Sequence, residues 1–176
     1  MKRITLLSGI LVLLFCTSLQ EESKPKGLPP PTHNGENIVA CKINGDLMIA
    51  RESSSEVVGD FGIKFSHSKA HGLIYIAGSC ASPQYEIEMS FKYGDTLGSY
   101  PLIMDYPAYT FFWDYSKSSA PNATNQFQTD SLHNGSIEIT YYDGNIIAGT
   151  FAFDAMNRKG DIVHITEGRF DLMKQQ

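Results

Sequence analysis

The residues best suited to chemistry form one run, Tyr106-Pro107-Ala108-Tyr109-Thr110-Phe111-Phe112-Trp113-Asp114-Tyr115. In an extended chain, successive side chains point to opposite faces. Tyr109, Phe111, Trp113 and Tyr115 then share one face, and Phe112 takes the other. A row of aromatic rings suits stacking on sugar rings, and Tyr and Trp keep a polar handle when half exposed. The competing reading makes this run the central core strand, with Trp113 packed inside, and the sequence favours it. The four rings are still the best place for a ligand cleft.

Other patterns carry less. Glu86 and Glu88 share one strand face and are the paired carboxylates a glycosidase would need. Their alternation with Tyr85, Ile87 and Met89 is already accounted for by a wet face. His67 and His71 are four apart, a metal-binding spacing on a helix, but Ser66–Gly72 has the composition of a loop. Nucleophilic catalysis needs a Ser or Cys aligned with a base and a carboxylate. Gly78-Ser79-Cys80-Ala81-Ser82 offers only a small-residue turn. The expectation is therefore no catalytic residue, no metal and no cofactor.

The positions of the cysteines point to location. Met1-Lys2-Arg3 is basic, Ile4 to Phe15 is almost wholly apolar, and Cys16 follows at once. That order is a secretion signal whose apolar run is short for a membrane span. Cleavage before Cys16 and acylation of its sulfur would make a lipoprotein. Phe15 is bulky where that cleavage favours a small residue. Cleavage after Ser18 with free secretion, and an uncleaved anchor, are the alternatives. All three place the domain outside the cytoplasm. Cys41 and Cys80 are a candidate disulfide in an oxidising compartment. The reading as two buried thiols is slightly favoured.

The elements that must position these residues are strands. The composition is rich in β-formers and turn residues, with nine Tyr, ten Phe and fifteen Gly. The net charge of -5 is modest and the basic residues are scattered. That argues against a nucleic-acid partner, which needs a concentrated basic face. The division expected is a signal at 1–15, an acidic and Pro-rich linker at 16–35, and one β domain at 36–176. Ile38–Ile43, Asn44-Gly45 and Leu47–Ala50 predict a hairpin. Phe61–Phe65, Leu73–Ala77 and Tyr85–Lys92 predict further strands. Ile137, Ile139 and Tyr141 alternate with Glu138, Thr140 and Tyr142, the pattern of another strand. Ile146–Phe153, Ile162–Thr166 and Gly168–Leu172 complete the set. No three-turn helix is expected after the signal. The fold expected is an antiparallel β-sandwich or barrel of about eight to ten strands.

Both ends of the domain resemble small Bacteroidota lipoproteins of unknown function. The residues are Leu28–Thr32, Gly35-x-Asn37 and Cys41-x-x-Asn44-Gly45, then Ile139–Asp143, Gly149-Thr150-Phe151-x-Phe153 and Ile165-Thr166-x-Gly168–Asp171. The resemblance covers residues 28–45 and 137–172. It implies an outer-membrane or periplasmic β domain with a lipid on Cys16, and it transfers no catalytic residue. Asp95-Thr96-Leu97 and Asp130-Ser131-Leu132 resemble Bacteroidota O-glycosylation acceptors, with Thr96 and Ser131 as the modified residues. The expectation is a non-enzymatic envelope lipoprotein that reaches the membrane through its anchor. Its partner would be a glycan, a lipid or an envelope protein. A lipocalin-like carrier of a lipid or sugar, with aromatics at a barrel mouth, is the alternative. A secreted hydrolase ranks third.

Overall fold

The computed structural model describes residues 27–51, 62–81, 84–116, 118 and 122–174. The leader and Cys16 lie outside the described residues. Within them the protein is all-β and every strand pairing is antiparallel. The strands are β1 (Ile38–Ile43), β2 (Asp46–Arg51), β3 (Ile63–Ser68), β4 (Leu73–Ala81), β5 (Gln84–Lys92) and β6 (Gly98–Leu102). They continue with β7 (Tyr109–Asp114), β8 (Gln126–Gln128), β9 (Gly135–Tyr142), β10 (Ile146–Asn157) and β11 (Ile162–Met173). Among the described residues this makes eleven strands, slightly more than the eight to ten expected, in the antiparallel all-β fold expected. The two without a sequence signal are β6, an edge strand holding Pro101, and the three-residue β8.

The strands form one sheet in the order β2-β1-β11-β10-β8-β7-β5-β4-β3, with β9 pairing β10 and β6 off that path. The sheet curls into a nearly closed barrel. Its two ends meet face to face: a Cβ on Gly78 of β4 would lie 2.7 Å from Val39 Cβ of β1. Glycine at 78 thus allows the close approach of the two layers, and β4 runs on through Gly78–Cys80, where a turn was expected. Met48, Ile76, Met89, Phe91, Ile137 and Ile165 are all fully buried inside. Each contributes roughly 1.5–3 kcal/mol relative to exposure.

Local signals account for much of the register. Asn44 and Gly45 both have positive φ, 50° and 94°, as the tight β1–β2 turn requires. On β10, a Cβ at Gly149 would lie 1.9 Å from the Glu138 carbonyl oxygen. A bulge between β9 and β10 interrupts the alternation along β9: Ala148 pairs Tyr141 and Gly149 pairs Ile139, leaving Thr140 extra. One extra residue exchanges the faces. Tyr142, not Tyr141, therefore packs against the core, and Tyr141 lies outside with its ring 5.0 Å from His33. A second bulge, with Glu167 at φ 53°, merges the two last predicted strands into β11.

The described part of the expected linker is fastened to the barrel. Asp171 of β11 is only 1% exposed. Its carboxylate accepts hydrogen bonds from the Thr32 hydroxyl at 2.7 Å, the Asn34 amide at 2.9 Å and the Gly35 amide at 2.7 Å. Arg169 donates to the Pro29 carbonyl, and the Met173 amide to Asn37 Oδ1. A buried carboxylate is tolerated when donors surround it in this way. The folded unit therefore begins before residue 36.

Candidate functional site

Strand β7 splits its side chains between two environments. Thr110, Phe112 and Asp114 are buried toward the interior, whereas Tyr109, Phe111 and Trp113 stand half-buried on the outer face, with Tyr115 just beyond. The two-residue period makes the division. This corrects the expectation that Trp113 packs inside: Phe112 fills that position, against Phe127 of β8 at 5.6 Å. The outer rings touch in sequence. Tyr109 and Phe111 have centroids 5.4 Å apart, Phe111 and Trp113 5.7 Å, and Trp113 and Tyr115 6.0 Å with planes 5° apart. Tyr75 of β4 stands beside the row, level with Tyr109 across Ser90 of β5, with ring centroids 6.5 Å apart.

Polar side chains border the row on both sides. In register on β5, Glu86 pairs Trp113 and Glu88 pairs Phe111. On β8, Gln126 pairs Trp113 and Gln128 pairs Phe111. The glutamates are half-buried rather than on a freely wet face, and each is bonded to a tyrosine, one at the end of the row and one beside it. Tyr115 bonds Glu86, and burial together with that carboxylate pushes its hydroxyl up to about 12. Tyr75 bonds Glu88 and is likewise raised, first by burial and then by the Glu88 charge. Glu88 itself sits above the usual carboxylate range, because burial and the neighbouring Glu86 both disfavour its ionised form. Beyond Gln126 and Gln128 the surface opens into a cleft of about 220 Å³, also lined by Asp130, Met156, Asn157 and Arg158. The arrangement offers ring stacking flanked by hydrogen-bonding groups.

The remaining candidates are dispersed. His67 lies on β3, not in a loop, because Ser66–Ser68 pair in register with Leu73–Tyr75. Its Nδ1 is 2.7 Å from the Tyr142 hydroxyl, and burial lowers its pKa. His71 instead meets Ser68, Nδ1 to Oγ 2.9 Å. Among the described residues no three His, Cys, Asp or Glu gather as for a metal. No disulfide joins Cys41 and Cys80. Cys41 is buried with Sγ 4.0 Å from Met48 Sδ, and burial raises both thiols. Thr96 and Ser131 are both exposed in turns. The Asp130 carboxylate accepts from the Leu132 and His133 amides at 2.7 Å, closing the turn that presents Ser131.

Two features of the site escaped the sequence. Tyr75 sits in a continuous apolar run, which hides the alternation that would have placed it outside. Gln126 and Gln128 lie on a strand too short to show a period.

A family model described as a domain of unknown function (DUF6252) matches residues 63–172, from the start of β3 almost to the end of β11. No curated protein and no solved structure matches the chain.

Proposed function

We propose, for a chain that belongs to the DUF6252 family of domains of unknown function, a non-enzymatic binding role at a bacterial cell envelope. The leader and Cys16 support an exported lipoprotein held at the outer membrane, with secretion from Leu19 as the alternative. The resemblance at residues 28–45 and 137–172 supports a Bacteroidota source. The scattered basic residues argue for a partner other than nucleic acid.

The observation that carries the binding role is the row of four rings on the outer face of β7. A contiguous aromatic patch that stays partly open to solvent is the kind of surface a partner covers. Co-sedimentation of the purified protein with isolated envelope material tests it. The double variant Phe111→Ala/Trp113→Ala should lose at least roughly tenfold in the bound fraction. Equal binding by the variant would overturn the role. The intact mass of the protein from its native membranes, beside Cys16→Ala, tests the anchor: an acylated chain starting at Cys16 is expected, and an unmodified chain starting at Leu19 would refute it.

A ligand held inside the barrel is the second reading, and it has less support. Met48, Met89, Phe91 and Ile137 occupy the interior that such a carrier would leave open.

A further inference from the structure

We infer that the ligand of the β7 face is an uncharged, linear oligosaccharide lying along the strand. The inference rests on the binding role proposed above and adds the class of ligand.

Shape gives the first argument. The rings form a line along the strand with steps of 5.4, 5.7 and 6.0 Å, and Tyr75 lies to the side of Tyr109, across β5, at 6.5 Å. A line of rings matches a chain of sugar rings, each of which can lie on an aromatic face. Aromatic side chains also lose little rotamer entropy on binding, having two χ angles each.

The border gives the second. At the register positions beside Phe111 and Trp113 stand Glu86, Glu88, Gln126 and Gln128. Ionised carboxylates only accept hydrogen bonds, and the glutamine amides both accept and donate. Sugar hydroxyls, which do both, satisfy that set. A ligand with few donors would leave carboxylates desolvated at a cost.

Charge gives the third. Glu86 and Glu88 stand two residues apart on one face of β5, where burial first and then their mutual repulsion disfavour ionisation of Glu88. A uronate, sulfate or phosphate laid over Phe111 would add a like charge to that pair. On the opposite side of the row, Gln126 and Gln128 share their cleft with both Arg158 and Asp130, so that border carries no net charge against a ligand. The β5 border therefore disfavours an anionic chain over Phe111 and Trp113.

Trp113 is the chain's single tryptophan, so its emission reports occupancy of the row directly. The purified protein is titrated with glucose, mannose and N-acetylglucosamine oligomers from monomer to hexamer, and with galacturonate oligomers of the same lengths. At least one neutral series should change the emission, with affinity rising at least about tenfold from monomer to tetramer as more rings are covered. The galacturonate series should give no response at low salt. Glu86→Gln/Glu88→Gln should narrow the gap between the neutral and acidic series, and Phe111→Leu should weaken the neutral series while keeping the fold. Galacturonate binding as tightly as the neutral sugars, or a monomer binding as well as a tetramer, would overturn the inference. So would a response to a proline-rich peptide alone. If no sugar responds while envelope binding still depends on Phe111 and Trp113, the ligand class fails and the binding role stands. If envelope binding is indifferent as well, both fall.

Discussion

At one end of the barrel His67, Tyr93 and Tyr142 meet edge to face, with centroids 5.5 to 5.7 Å apart. Tyr100 packs on Tyr93 and on the fully buried Phe91. On the outer face of β7, Tyr109, Phe111, Trp113 and Tyr115 follow one another along a single strand instead. The same kinds of ring serve different ends. In the first region they come from β3, β5, β6 and β9 and from the residue after β5, so their contacts tie distant parts of the chain together. In the second they come from neighbouring positions, so their contacts add little to what the strand already fixes. Rings that hold a fold link strands far apart in sequence, and rings that present a surface can be contiguous.

The largest test of that contrast is truncation. Phe91→Ala should cost about 3–5 kcal/mol in urea unfolding, because it empties a packed interior. Phe111→Ala should cost well under half as much. Equal losses would make the β7 row a structural element and break the comparison. The next effect is a single hydroxyl. Tyr142→Phe removes the 2.7 Å bond to His67 and should cost about 1 kcal/mol. Tyr109→Phe, on the row, should be close to neutral in stability.

The smallest effects are opposite pH slopes. Burial holds the His67 pKa below its usual 6.5. The unfolded chain therefore takes up the proton first, and stability falls as pH drops through 6.5. In His67→Gln that part of the acid slope should vanish from a Tm-against-pH series. Glu88 behaves in the reverse sense. Its folded pKa lies above the usual 4.5, so the unfolded chain ionises first and stability falls as pH rises through 4.5. Glu88→Gln should remove that fall and leave the protein slightly more stable at neutral pH. A variant less stable than the parent at pH 7 would mean that ionised Glu88 stabilises the row.

Much of the fold is legible in the sequence. The Asn44-Gly45 turn and the alternation of Ile87 and Met89 with Glu86 and Glu88 follow from turn chemistry and two-residue periodicity. The four-ring row was legible as a shared face for the same reason. Which face was not. Alternation separates two sides of a strand without saying which is inner when both carry aromatics, as Phe111-Phe112-Trp113 does. Fold-level packing chose Phe112 for the interior, against Phe127. The Asp171 clasp was equally hidden, since its partners Thr32, Asn34 and Gly35 are about 140 residues away.

The sequence by itself determined an all-β chain, its hairpin turns, the parity of most strands and the grouping of Tyr109, Phe111, Trp113 and Tyr115. These depend on interactions between residues close along the chain. Only the tertiary structure decided that the sheet closes on itself at Val39 and Gly78, and that a bulge at Thr140 turns Tyr142 inward. It also decided that Glu86, Glu88, Gln126 and Gln128 line up beside the rings. Those outcomes depend on which strands become neighbours, and that is set by burying the whole apolar surface at once rather than by any local signal.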